Sequence, residues 1–166
     1  MDFASLQDFI FSERPYESEI HGLEHWRQVE FNGLLLVPET GADITVVRLF
    51  SLFHDSKRFE DGHDAEHGLR GAEFAKWCLE NKLFELDNER FEKLYHACAN
   101  HTRESSSGDA TIDTCYDADR LDLGRVAIPP DPRKMATEAG KKIARRLSAA
   151  GISVFHHREW IRNFRF

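Results

Sequence analysis

An all-α fold is predicted by three features of this 166-residue sequence. Apolar residues recur at i, i+3, i+4 and i+7 through most of the chain, the two-residue alternation of strands is nearly absent, and Asp, Pro and Gly fall where the apolar runs start and stop. No internal repeat or low-complexity linker divides the chain. The expectation is a single helical domain over residues 1–166: about five core helices, a motif-bearing core over about 18–125 and a C-terminal helical extension over about 133–166.

The elements follow in order. A first helix is predicted from about Asp2 to Ser12, stopping before Pro15. A second starts at Ser18, with Glu19 and Glu24 suited to its positive N-terminal end, and runs to about Leu36, where Val37-Pro38-Glu39-Thr40-Gly41 breaks it. Asp43 caps a third, whose apolar run closes on His54-Asp55. A polar loop leads to Asp64, a cap for a fourth helix reaching about Asn81, and Asp87 caps a fifth to about Asn100. Residues 103–110 read as a loop by composition, a sixth helix covers about Thr111 to Leu121, and Pro129-Pro130-Asp131-Pro132 stops the chain before a basic helix from about Thr137 to Ala149. In the tail, Trp160, Ile161 and Phe164 recur at helical spacing among Arg158, Arg162 and Arg165. That pattern suits nucleic acid, an acidic partner or a terminal helix docking its apolar side on the domain, and docking is the expectation.

Composition excludes several classes. With 41% hydrophobic and 31% charged residues the chain reads as soluble and globular. No apolar stretch approaches the roughly 20 residues that span a bilayer. The N-terminus has no basic and apolar leader, so the cytoplasm is the expected compartment. A net charge of -7 argues against extensive nucleic-acid binding while leaving room for one phosphate in a local positive pocket. Cys78, Cys98 and Cys115 are odd in number, far apart and on apolar stripes, as buried reduced thiols are. A chain this long builds its core without a metal, so any metal is there for chemistry.

Metal-capable side chains lie on the apolar stripes. His25 aligns with Val29, Asn32 and Leu36; His54 with Val47 and Phe50; His67 with Gly71, Phe74 and Cys78. His101 extends Phe91, Leu94 and Cys98, and Asp119 extends Ile112, Cys115 and Tyr116. A lone inward His is most often a hydrogen-bonded core residue, but five such positions plus Asp55 would need as many separate explanations. Convergence on a cation answers them together, since buried carboxylates are costly unpaired.

These segments resemble the HD-domain superfamily of metal-dependent phosphohydrolases, whose motif is a His, an adjacent His-Asp pair and a distal Asp. The first element is similar to His21 through Val29, the second to Phe53-His54-Asp55-Ser56-Lys57, and the third to Asp117 through Asp122. Residues 64–73 and 99–102 resemble the family's middle histidine segments. The likeness covers about Ile20 to Leu123 and is nearest to small stand-alone bacterial HD proteins. It implies an all-α core around a divalent ion, hydrolysis of a phosphoester or phosphoanhydride of a small metabolite or nucleotide, and His25, His54, Asp55 and Asp119 as ligands. His67 and His101 match residues that hold a second ion in two-metal members, bridged by the Asp of the pair, and face the substrate phosphate in one-metal members; both arrangements stay open.

Imidazole-rich ligation favours manganese, iron, cobalt, nickel or zinc over magnesium. A bound ion would activate water for attack on phosphorus, with Asp55, Lys57, His67, His101 and Asp122 as the catalytic candidates. Lys57 and Arg103 are candidates to hold phosphate oxygens, beside the bland reading of each as an exposed loop cation. His21 shares a face with His25 and is a candidate at the pocket mouth. Asp122 is placed to orient a ligand histidine or the attacking water, or else to pair with Arg125 at the surface. His63 and Glu66 read as exposed, and the His156-His157 pair as a place for adventitious metal. A nucleotide-sensing module with negligible turnover is the main alternative, and a two-iron oxygenase a third. Ser105, Ser106 and Ser107 lack the strand-turn-helix setting of a serine nucleophile.

Overall fold

The structure, a computed structural model, describes residues 2–166. Among them are eight α-helices and no strand: α1 (Phe3–Ser12), α2 (Leu23–Thr40), α3 (Ile44–Phe53), α4 (His67–Glu80), α5 (Asn88–Asn100), α6 (Ala110–Arg120), α7 (Glu138–Ala149) and α8 (His157–Arg162). Short 3₁₀ turns at Leu123–Val126, Pro132–Lys134 and Val154–His156 connect the last three. No described helix is long and apolar enough to cross a membrane.

Side-chain caps set most of the helix starts. Asp2, Asp43, Asp87, Asp109 and Thr137 each accept a backbone N–H from the first turn of α1, α3, α5, α6 and α7. Two boundaries depart from the sequence reading. Helix α2 begins at Leu23, not Ser18, because the Ser18 hydroxyl takes the His21 N–H and Asp61 instead of starting a helix. It then runs through Pro38 and ends only at Gly41, whose φ of 71° lies in the left-handed region that glycine adopts freely. The amide missing at Pro38 strands only the carbonyl of Leu34, a residue on the exposed side of the helix where water can serve it. Asp64 does not cap α4. Its carboxylate accepts the Phe59 N–H at 2.9 Å and pairs with Arg70, folding the 57–66 loop back on the helix.

Helix α3 is the hub, packed by α1, α2, α4, α5 and α6. From Leu49 to Phe53 every residue is buried, so its sequence is apolar nearly all round. Pairs α2·α6 and α4·α5 flank it. Gly71 and Gly68 let α4 approach closely: a Cβ at Gly71 would run into the Phe53 carbonyl, and one at Gly68 into that of Cys98. The ends of α3, α4 and α5 can therefore meet. A second apolar cluster lies behind α2, where Leu36 and Leu121 pack against Met135, Ile143 and Leu147 of the α7 segment and Ile161 and Phe164 of the tail. The tail thus docks its apolar side, and the Arg162 Nε–H donates to buried Gln28 on α2 at 3.0 Å. All three cysteines are free and buried.

Candidate metal centre

The inward-facing residues meet where helix ends converge. His25 stands in the first turn of α2, and His54 and Asp55 just past the end of α3. His67 opens α4, His101 follows α5, and Asp119 lies in the last turn of α6. His25, His54, Asp55, His67 and His101 are each at most 5% exposed.

The hydrogen bonds at the far side of each ring fix what faces inward. The Nδ1–H of His54 donates to the Phe50 carbonyl at 3.0 Å, that of His101 to Cys98 at 2.8 Å, and that of His67 to Asp64. His25 Nδ1–H donates to the Asp122 carboxylate at 2.8 Å. Carbonyl and carboxylate oxygens only accept, so each Nδ1 carries a hydrogen and Nε2 is the ring nitrogen that faces inward.

These nitrogens point at one another. His25 and His54 bring their Nε2 atoms to 3.1 Å, with Asp55 Oδ2 at 3.4 and 3.7 Å from them and Asp119 Oδ1 at 3.4 and 4.0 Å. Asp119 Oδ1 is buried with no hydrogen-bond partner. The donor atoms of His25, His54 and Asp119 all lie within 4.8 Å of one another, as do those of His21, His25 and Asp55, spacings compatible with ligands about 2.0–2.2 Å from a shared divalent ion. The other oxygen of Asp55 faces a second triad: Oδ1 lies 3.1 Å from His67 Nε2 and 3.8 Å from His101 Nε2, and those two nitrogens are 3.1 Å apart. These buried His and Asp groups could hold a metal ion.

Electrostatics follow from this crowding. Burial opposes charge on Asp55 and Asp119, but the surrounding histidines, joined at Asp119 by Arg125, hold both carboxyls well below the usual range. Burial also works against a proton on His25. The Asp119, Asp122 and Asp55 carboxylates outweigh it and raise His25 to about 9, whereas burial takes His54 down to about 3. Without an ion, one proton on His25 Nε2 thus fills the gap to His54.

A metal must displace that proton. Apparent metal affinity is therefore expected to rise about tenfold per pH unit between 6 and 8 and to level off above about 9, as read by chelator competition; a flat profile would contradict it. For the ion-free fold, His25 contributes stability that is complete below its ordinary 6.5 and is lost as pH climbs through about 9. His54 contributes stability present above 6.5 and lost as pH falls towards 3.

The three aspartates after α6's apolar stripe divide their work. Asp117 accepts the Ala136 and Thr137 N–H groups at 2.7 and 2.8 Å and the Thr137 hydroxyl, fixing the start of α7. Asp119 faces the centre. Asp122, 1% exposed, is buried and not at the surface: Arg125 Nη1 lies 4.0 Å from its carboxylate, and Arg158 of α8 grips it with Nε and Nη2 at 2.7 and 2.9 Å while it holds His25. His21 is drawn inward as well, its Nδ1–H donating to Asp55 Oδ2 at 2.7 Å.

Two residues expected near the phosphate are turned elsewhere. Lys57 Nζ donates to the Glu13 carbonyl and sits 3.7 Å over the Phe74 ring, lining a separate hollow with Pro15 and Phe59. Arg103 donates to the Ala65 carbonyl at 2.7 Å and pairs with exposed Glu66, at the rim of a hollow it shares with His63, Arg58 and His67. The cations at the centre are others. A cleft of about 350 Å³ is lined by Asp55, Asp119, His67 and His101 together with Arg58, Arg125, His21 and Asp61. Arg58 was legible only as the residue one helical turn past Asp55, and Arg125 as a candidate surface partner; Arg158 left no local signal.

A scan against protein-family models and a search of curated proteins find no match. Among solved structures, the chain is similar to the crystal structure of a predicted HD superfamily hydrolase from an uncultured Thermotogales bacterium, with a TM-score of 0.70 and 22% identity over 95% of this chain and 91% of that one. The fold is therefore the all-helical HD-domain fold. Its buried His and Asp groups at the meeting of the helix ends could bind a metal ion.

Proposed function

We propose that this protein is a metal-dependent phosphohydrolase acting on a small phosphorylated metabolite or nucleotide, and that one domain spanning the chain carries the whole site. The observation that carries the reading is the set of donor atoms of His25, His54, Asp55 and Asp119, one of them an oxygen with no partner, drawn together beside a cleft that two guanidiniums also line. The HD hydrolase fold of the structural neighbour supports it.

In this reading those four residues hold the ion, with manganese, iron, cobalt, nickel or zinc suiting the imidazole-rich donors better than magnesium. A bound ion lowers the pKa of its water and offsets charge on a phosphoryl oxygen. The chain does the rest. Arg125 and Arg58 donate to the non-bridging phosphoryl oxygens, a role their planar, permanently charged forks suit. His101 Nε2, kept free by the Nδ1 bond to Cys98 and kept neutral by burial, accepts the proton that the attacking water gives up. His21 and Asp122 act through other groups, steadying the Asp55 carboxylate and the His25 ring.

Phosphate release from nucleoside mono-, di- and triphosphates and sugar phosphates, with added manganese, nickel or cobalt, tests this. Turnover that Asp119→Ala removes is the expected result. No turnover above the metal blank, together with tight nucleotide binding, would replace the enzyme by a sensing module. Oxygen consumption by the iron-loaded protein would point to oxidative chemistry.

A further inference from the structure

Building on the phosphohydrolase reading, we propose that Arg58 is the resident second cation of this centre, held where a second metal ion would have to bind, so that the protein takes up one divalent ion and not two. The two groups meet at Asp55, whose oxygens face one each, but they differ in how closely a guanidinium approaches. At the His25–His54 pair, which faces the unpartnered oxygen of Asp119, the Arg125 guanidinium stands back 3.9 Å from that oxygen and bonds neither ring. At the His67–His101 pair a guanidinium is in contact. Arg58 Nη1 lies 3.4 Å from Asp55 Oδ1 and 3.1 and 3.2 Å from the two nitrogens of His67. A contact along one in-plane lone pair would leave the other ring nitrogen much farther away, so near-equal distances place the guanidinium over the imidazole face, against the mouth of the triad.

Arg58 is also fastened in that position. Its Nε–H donates to the Glu60 carbonyl at 3.2 Å and Nη2–H to the Gly62 carbonyl at 2.8 Å, and the residue is only 8% exposed. The loop that follows α3 therefore closes around the guanidinium, and removing it would break two backbone bonds. A divalent ion bound by Asp55 Oδ1 and His67 would stand against this fixed positive charge at a few ångströms, in a buried setting where solvent screens little.

The other guanidiniums near the centre are already paired: Arg125 stands near Asp119 and Asp122, and Arg158 holds Asp122 and reaches Glu24. Arg58 is the one set against the Asp55 oxygen that faces His67 and His101, so a second divalent ion there would add to a fixed positive charge in a largely buried site. Arg58 then does for the substrate's phosphoryl oxygen what a second ion would do elsewhere, as a planar donor that needs no loading.

Chelator-stripped protein titrated with manganese, with bound ion counted by paramagnetic resonance and elemental analysis and the Asp55→Ala background subtracted, tests this. Wild type is expected to bind one ion per chain with a mononuclear six-line spectrum. Arg58→Ala, or Arg58→Gln if alanine fails to fold, is expected to bind two, with spin coupling between them. Two coupled ions in wild type, or a single ion in a folded Arg58 variant, would overturn the proposal. Uptake by wild type no greater than that of Asp55→Ala would overturn the metal centre itself and Arg58's role with it.

Discussion

Asp55→Ala is expected to abolish specific metal uptake and to lower turnover on the order of 10³-fold, the scale of several kcal/mol of lost transition-state stabilisation. The reason is geometric: this one carboxylate turns Oδ2 to His25 and His54 and Oδ1 to His67, so its loss removes an oxygen from both groups of donors. Uptake should fall further than the roughly 10–100-fold that follows loss of a group supporting a ligand from behind. Helical content by circular dichroism is expected to stay, because the residues that anchor α3, Val46, Val47 and Leu49 to Phe53, are buried on their own account. Turnover persisting in a well-folded Asp55→Ala protein would contradict the account.

Arg158→Ala has the second large effect, and it acts from the end of the chain. Arg158 grips Asp122 through two bonds, and Asp122 in turn fixes His25, so the variant leaves a carboxylate buried without its main partner. The cost is expected near the low end of the 3–5 kcal/mol for breaking a buried pair, about 3 kcal/mol, since Arg158 itself is partly exposed. For a chain of this length that lowers Tm by about 6–12 °C. Metal affinity should drop roughly 10–100-fold as the His25 ring loses its fixed orientation. Arg158→Lys is expected to recover part of the stability but less of the affinity, because an ammonium cannot reproduce the two-pronged grip. Melting by calorimetry and chelator competition read the two effects separately; an unchanged affinity would reduce Arg158 to a docking contact.

What the sequence disclosed and what it hid have physical causes. Helical periodicity carries the direction a side chain faces, so spacing alone places His25, His54, His67, His101 and Asp119 on inward stripes, and aspartate caps locate the starts of α3 and α5. Beyond a helix end that information stops. Lys57 and Arg103 are adjacent in sequence to the centre, yet the chain turns past the ends of α3 and α5 and sends them to Glu13, Phe74 and Glu66. Arg58, in the same loop as Lys57, is carried inward by carbonyls of Glu60 and Gly62 that no pattern announces. Asp64 reads as a cap but serves Phe59 and Arg70, because a loop that must return to α4 uses the carboxylate first. Arg158 lies 36 residues from Asp122, and only the docking of α8 on the second apolar cluster brings them together.

The most direct measurement is anomalous diffraction from crystals grown with manganese. The account predicts one strong peak enclosed by His25 Nε2, His54 Nε2, Asp55 Oδ2 and Asp119 Oδ1. Density only at exposed histidines such as His156, with the four groups closing on no ion at saturating metal, would contradict it.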